Sequence, residues 1–202
     1  MKSIGVTQRL CISKYGELRA QLDIRLINFI AECGYHPIII PYLEYKEKPI
    51  LKKKIINWIK NINLSGIVFS GGDNIGKYKL RDDTEEALLS YAIKKKISIF
   101  GICRGMQLIG KYFNVKLIKV NNHVKKSHAV YSKKNRITVN SFHNFSLKSC
   151  PKNFNIEYRA LDGNIESIES KQKKIYACMW HPERYNKFRK SDKINFKKIF
   201  GK

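Results

Sequence analysis

Three runs of the sequence carry residue types suited to nucleophilic acyl transfer. The first is Gly101-Ile102-Cys103-Arg104-Gly105, a thiol with a glycine two residues away on either side. Small residues at those positions permit a sharp strand-to-helix turn that lifts a nucleophile above a sheet edge. A helix opening just after the thiol favours its thiolate, because the free N–H groups and the dipole stabilise negative charge. The second run is His181-Pro182-Glu183. A cysteine nucleophile needs a base, and the base needs an acceptor to orient it. A histidine with a carboxylate two residues on supplies both. The third run is Ser70-Gly71-Gly72. Glycines there let backbone N–H groups approach a developing oxyanion, and the N–H of Arg104 offers a second donor. Each run alone has an ordinary explanation: a buried cysteine, a surface His-Pro turn, a glycine-rich loop. Together, each after an apolar strand, they point to a cysteine hydrolase.

The apolar pattern supplies the elements that hold these runs. Residues 3–7 read as a first strand. Leu18, Leu22, Leu26, Phe29, Ile30 and Cys33 recur at helical spacing and predict a helix over 17–33, stopped by Gly34. Residues 36–41 carry three consecutive isoleucines and read as a fully buried strand of a parallel sheet. Helices follow over 49–62, 82–96 and from Cys103 to Phe113, with strands over 66–69 and 97–101. This alternation implies an α/β fold with parallel strands and helices on both faces. Such sheets keep their sites beyond the carboxyl ends of the strands, where all three runs fall. The second half is richer in strands: 115–120, 136–139, 155–161, 165–169 and 175–180. Asp162-Gly163-Asn164 reads as a hairpin turn and 191–200 as a last helix.

A chain of 202 residues suits one well-cored domain, 1–202, and its 43% hydrophobic content favours a globular core over disorder. No apolar run is long enough to cross a bilayer, and the start lacks a signal-peptide core. The five cysteines, Cys11, Cys33, Cys103, Cys150 and Cys178, are odd in number and form no C-x-x-C pair. Cys33 and Cys178 sit in apolar settings and are expected to be buried thiols. These features together suggest a cytoplasmic protein. Lysine and arginine total 40 against 16 acidic residues, a net charge of +24. Such a surface attracts anions. The lysines are scattered, however, and form no basic face interleaved with aromatics. The charge therefore reads as compositional bias and a small anionic substrate, rather than a dedicated nucleic-acid binder.

The three runs, with what lies between them, resemble the class I glutamine amidotransferase superfamily and most of all its γ-glutamyl-γ-aminobutyrate hydrolase branch. The resemblance also rests on Arg81-Asp82-Asp83-Thr84-Glu85, on Met106-Gln107, on Val139-Asn140-Ser141-Phe142-His143, on Asp162-Gly163-Asn164-Ile165-Glu166 and on Met179-Trp180. It spans nearly the whole chain, in order. It implies a flavodoxin-like three-layer sandwich with a mainly parallel central sheet and extra strands in the C-terminal half. It implies a triad of Cys103, His181 and Glu183, with the Gly72 and Arg104 amides as oxyanion hole. Glutamyl contacts are implied for Gln107, Ser141, Phe142 and His143. The implied reaction is hydrolysis of a γ-glutamyl amide through a glutamyl thioester, with no metal and no organic cofactor. His181 is preferred to His143 as base because it carries its own orienter. His123 and His128 read as surface or substrate-side residues.

The sequence also departs from that branch. The loop 73–80 is short, Asn144 replaces a second histidine, and the segment before Arg136 is short and basic, with Lys125, Lys126, Lys133 and Lys134. These regions are expected to border the leaving-group side. A basic rim there suits a phosphorylated or nucleotide-linked γ-glutamyl amide, such as those of capsular phosphoramidate synthesis, met by the lysines and Arg104. Hydrolysis of γ-glutamyl-polyamines or γ-glutamyl-aminobutyrate, a glutaminase subunit serving a synthase partner, and a basic nucleic-acid-binding module stay open as alternatives. The chain's oligomeric state is open as well.

Overall fold

A computed structural model describes residues 1–201. The first half runs β1 (Ser3–Val6), β2 (Arg9–Ile12), β3 (Leu18–Gln21), α1 (Ile24–Glu32), β4 (His36–Ile39), α2 (Lys48–Lys60), β5 (Leu64–Phe69), α3 (Lys79–Lys94), β6 (Ser98–Ile102) and α4 (Arg104–Tyr112). The second half adds β7 (Leu117–Lys119), β8 (Val124–Tyr131), β9 (Arg136–Phe142), β10 (Phe145–Leu147), β11 (Asn155–Ala160), β12 (Ile165–Ser170), β13 (Ile175–Cys178), a 3-10 turn (Pro182–Arg184) and α5 (Lys190–Phe200).

Nine strands form one sheet in the order β4-β1-β5-β6-β13-β12-β11-β8-β9. The first five pair in parallel. Taken in chain order, they stand second, first, third, fourth, fifth, the flavodoxin-like arrangement. The other four are antiparallel and are the extra C-terminal strands. Side chains of the central strands alternate between two cores. Ile67, Phe69, Ile99 and Ala177 pack with Ile55, Leu88 and Met106 from α2, α3 and α4. Val68, Phe100, Tyr176 and Cys178 pack with Phe29 from α1 and Phe196 from α5. This gives three layers.

Three expectations need correction. The first helix starts at Ile24, not at residue 17, because Asp23 caps it by accepting from the Arg25 N–H at 2.9 Å. Leu18 instead lies on β3, in an exposed hairpin with β2 that turns at Gly16. The isoleucine-rich strand β4 is not fully buried. It is the sheet's edge, so Ile39 faces outward while Ile40 just beyond it is buried. Finally, the basic segment before Arg136 contains a whole strand, β8. Its sequence VKKSHAVY is too polar to show an apolar alternation, and pairing with β9 makes it a strand.

Candidate active site

β6 ends and α4 begins at Cys103, whose backbone sits at φ 50°, ψ −102°. Such a conformation in a non-glycine residue costs roughly 1–3 kcal/mol, and it is the kind of strained strand-to-helix turn on which nucleophiles are carried. The turn closes because its neighbour is small. A Cβ on Gly105 would stand 2.2 Å from the Phe69 carbonyl oxygen of β5. The turn holds Cys103 at the carboxyl edge of the parallel strands, 4% exposed.

His181 follows β13, the strand beside β6. Its Nδ1 lies 2.6 Å from Glu183 Oε1, and its ring is within hydrogen-bonding reach of the Cys103 sulfur. Both side chains are buried. The loop after β5 approaches from the other side. A Cβ on Gly71 would come within 2.5 Å of His181 Cε1, so only glycine leaves room for the imidazole. Two devices fix this geometry. Asn140 on β9 clamps the His181 backbone, accepting from its N–H and donating to its carbonyl, both at 2.8 Å. Arg81 donates to the Ser70 carbonyl and the Gly71 carbonyl, each at 3.0 Å, and holds the glycine loop.

Burial pulls the His181 pKa down, but the Glu183 charge and the hydrogen bond to Cys103 outweigh it and raise it to about 9. The imidazolium thus persists well above the range of a free histidine. If it is the acid that protonates the departing nitrogen, kcat/KM must fall as pH rises through about 9. The raised value has a second sign-fixed consequence. The stabilisation is complete below the unfolded-state pKa and is lost as pH climbs from there through about 9. A pH–rate profile checks the first statement, and an alkaline limb at the ordinary histidine value would contradict it.

Cys103 opens on a cleft of about 460 Å³ whose wall includes Gln107, Phe142 and His143. The structure therefore brings together Cys103, His181, Glu183, Gly72, Gln107, Phe142 and His143. The Arg104 amide opens α4 directly beside the thiol, where a first-turn N–H has no helical acceptor. Ser141 departs from expectation: it is fully buried behind the wall, donating from Oγ to the His123 carbonyl at 2.7 Å. His143 uses both ring nitrogens elsewhere, with Nδ1 3.1 Å from the Phe145 carbonyl and Nε2 3.2 Å from His123 Nδ1. It is not free to act as the base of Cys103.

The basic rim is real but is made of other residues. The Arg104 side chain is buried and spoken for by Glu85 and Asp82, so it meets no phosphate. Lys133 and Lys134 lie at the far end of the β8–β9 hairpin, beside Phe154 and Tyr158. The cations that line the cleft are Arg9, Lys77 and Arg184. Lys77 pairs with Asp73 at 2.5 Å, and Arg184 lies over the Phe142 ring, 4.6 Å from its centroid. Arg9 is exposed and makes no ion pair among the described residues. Sequence reading missed Arg9 because it sits on the unforeseen β2–β3 hairpin. His123 is not a surface residue either: it is 3% exposed and packed with His128 and His143 around Glu166.

Residues 19–199 match the family model of the class I glutamine amidotransferases. The chain belongs to that family. It is 31% identical over 193 residues to the γ-glutamyl-CDP-amidate hydrolase of Campylobacter jejuni, covering 91% of this chain and 90% of that one. It is 30% identical over 189 residues to the glutamine-hydrolysing GMP synthase of Borreliella burgdorferi, covering 88% of this chain but 33% of that longer one. Among solved structures, a protein assigned as a GMP synthase subunit from Thermoplasma acidophilum superposes with a TM-score of 0.74 at 21% identity, covering 100% of this chain and 93% of that one. That likeness bears on the fold. The family supports hydrolase chemistry on a γ-glutamyl amide. Among the described residues no helix is long and apolar enough to cross a membrane.

Proposed function

We propose that this family member hydrolyses a γ-glutamyl amide whose leaving amine carries phosphate, with γ-glutamyl-CDP-amidate as the candidate substrate. The carrying observation is the strained Cys103 turn facing His181, itself held by Glu183 at 2.6 Å, in one cleft with Gln107. The Cys103 thiolate attacks the γ-carbonyl carbon. Amides of Gly72 and Arg104 receive the oxyanion. His181 gives its proton to the departing nitrogen as the C–N bond breaks, leaving a glutamyl thioester on Cys103. Water then attacks the thioester. His181 takes the water's proton, and glutamate leaves with the thiolate restored.

The amine half is supported by Arg9, Lys77 and Arg184 at the cleft wall. A phosphorylated leaving group presents acceptors that guanidinium groups meet in bidentate fashion. The similarity to the Campylobacter jejuni hydrolase over nine-tenths of both chains agrees with it. The test is glutamate release across glutamine, γ-glutamyl-polyamine, γ-glutamyl-aminobutyrate and a nucleotide-linked γ-glutamyl phosphoramidate. The phosphoramidate is expected to give the highest kcat/KM. Arg9→Ala should raise its KM about tenfold, on the order of 1.4 kcal/mol, and leave the neutral amides nearly unchanged. Equal losses on all substrates would remove the anionic leaving group from the proposal. The GMP synthase relatives support a second reading, a glutaminase serving a synthase partner. Glutamine turnover that appears only on adding such a partner would favour it.

A further inference from the structure

We propose that His123, His143 and Glu166 supply three donors of a tetrahedral site for a divalent transition-metal ion such as Zn²⁺. The first argument is distance. His123 Nδ1 and His143 Nε2 are 3.2 Å apart, and each is 3.3 Å from Glu166 Oε1. A tetrahedral ion with bonds of about 2.0 Å needs donors about 3.3 Å apart, so the three atoms form one face of its coordination shell. His128 Nε2 is 3.6 Å from the same oxygen but too far from the two histidine donors to share that shell, so the fourth position is left to water. That nitrogen and both Glu166 oxygens are buried, and the histidine contacts to Glu166, at 3.3 to 3.6 Å, are long for hydrogen bonds.

The second argument is the tautomers. His123 Nε2 lies 2.8 Å from Asp162 Oδ2, and His143 Nδ1 lies 3.1 Å from the Phe145 carbonyl. Both outer partners are acceptors only, so each outer nitrogen carries the proton. The inner nitrogens then aim lone pairs at one another and at a carboxylate. Such a convergence repels itself unless a positive centre sits in it. One shared proton satisfies one pair of donors. A metal satisfies all of them, and histidines backed by a carboxylate and a carbonyl are the usual outer shell of such an ion.

The third argument is what the site would hold. β8 pairs with β11 at only two positions, Tyr131 and Val130, so its first residues, 124–129, gain nothing from that neighbour. His123 immediately precedes this stretch, His143 follows β9, and Glu166 lies on β12 deeper in the sheet. An ion here would tie the loose hairpin to the sheet and set the cleft wall at Phe142 and His143.

The experiment is a Co²⁺ titration of the Cys103→Ala protein, which lacks the competing cysteine sulfur. One equivalent should produce the intense visible bands of tetrahedral cobalt, and Zn²⁺ should displace it. Glu166→Gln should weaken binding about 100-fold. Asp162→Asn, at a half-exposed outer partner, should weaken it about tenfold and protects the test if the buried variant fails to fold. The pale spectrum of octahedral cobalt, no binding at all, or binding indifferent to both substitutions overturns the site.

Discussion

Cys103→Ala is expected to abolish glutamate release while the protein stays folded. The side chain is 4% exposed and small, so removing one sulfur leaves little void, and the turn keeps its backbone strain whichever of the two residues occupies it. In the proposed mechanism the chemistry depends on that sulfur entirely. His181 and the oxyanion amides can polarise the amide but cannot form the thioester. In other hydrolases removal of a nucleophile costs about 10⁶-fold in kcat, so a fall of at least about 10⁴-fold is expected here. If Cys103, His181 and Glu183 act as the one unit proposed above, His181→Ala should cost nearly as much. The Cys103→Ala, His181→Ala double variant should then be little worse than either single change. Steady-state glutamate release, with circular dichroism as the folding control, measures this. Undiminished turnover in Cys103→Ala sinks the assignment of the nucleophile.

That prediction was accessible from sequence for a physical reason. A nucleophile turn is local: strand, small residue, thiol, small residue and helix lie within about ten residues, and their spacing states the geometry. The same holds for His181 and Glu183, two residues apart. The parallel half of the sheet was legible because its strands are apolar on both faces and alternate with helices. What stayed hidden depends on residues far apart in sequence. Arg9 reaches the cleft only because the β2–β3 hairpin turns back beside Gly72. Asn140 clamps His181 across 41 residues through two hydrogen bonds between its side-chain amide and the His181 backbone, which leave no pattern in the chain. His123 and His128 lie on and beside a polar strand, where a histidine looks solvated until Glu166 is brought beneath it. Ser141 was drawn into the substrate site by its neighbours, yet on a strand successive side chains face opposite ways, and it points inward.

Glu85 makes the case for a hidden residue with the largest consequence, and Glu85→Ala is expected to cost about 3–5 kcal/mol of stability. Its carboxylate is fully buried between two arginines that are themselves buried. Oε1 accepts from Arg81 Nε at 3.0 Å, and Oε2 accepts from Arg104 Nη1. Burial pushes the Glu85 pKa up, but the charges of Arg81 and Arg104 outweigh it and hold it below the usual carboxylate range. The group is therefore ionised at neutral pH, and its contribution is lost only as pH falls into the acid range. Removing it leaves Arg81 without a carboxylate and Arg104 with Asp82 alone. The loss reaches the site by two routes. Arg81 holds the Ser70 and Gly71 carbonyls, and with them the loop that carries the Gly72 amide. Arg104 is the first residue of the helix behind Cys103. Glu85 thus cross-links the two elements proposed to build the oxyanion hole, and kcat should fall in molecules that are still folded. Glu85→Gln, which keeps the shape and one acceptor, should lose less on both counts. Urea unfolding gives the stability change and single-turnover kinetics gives the chemical step. A stability loss below about 1 kcal/mol, with kcat intact, would mean that the arginines find other partners and that the loop and helix hold their places without Glu85.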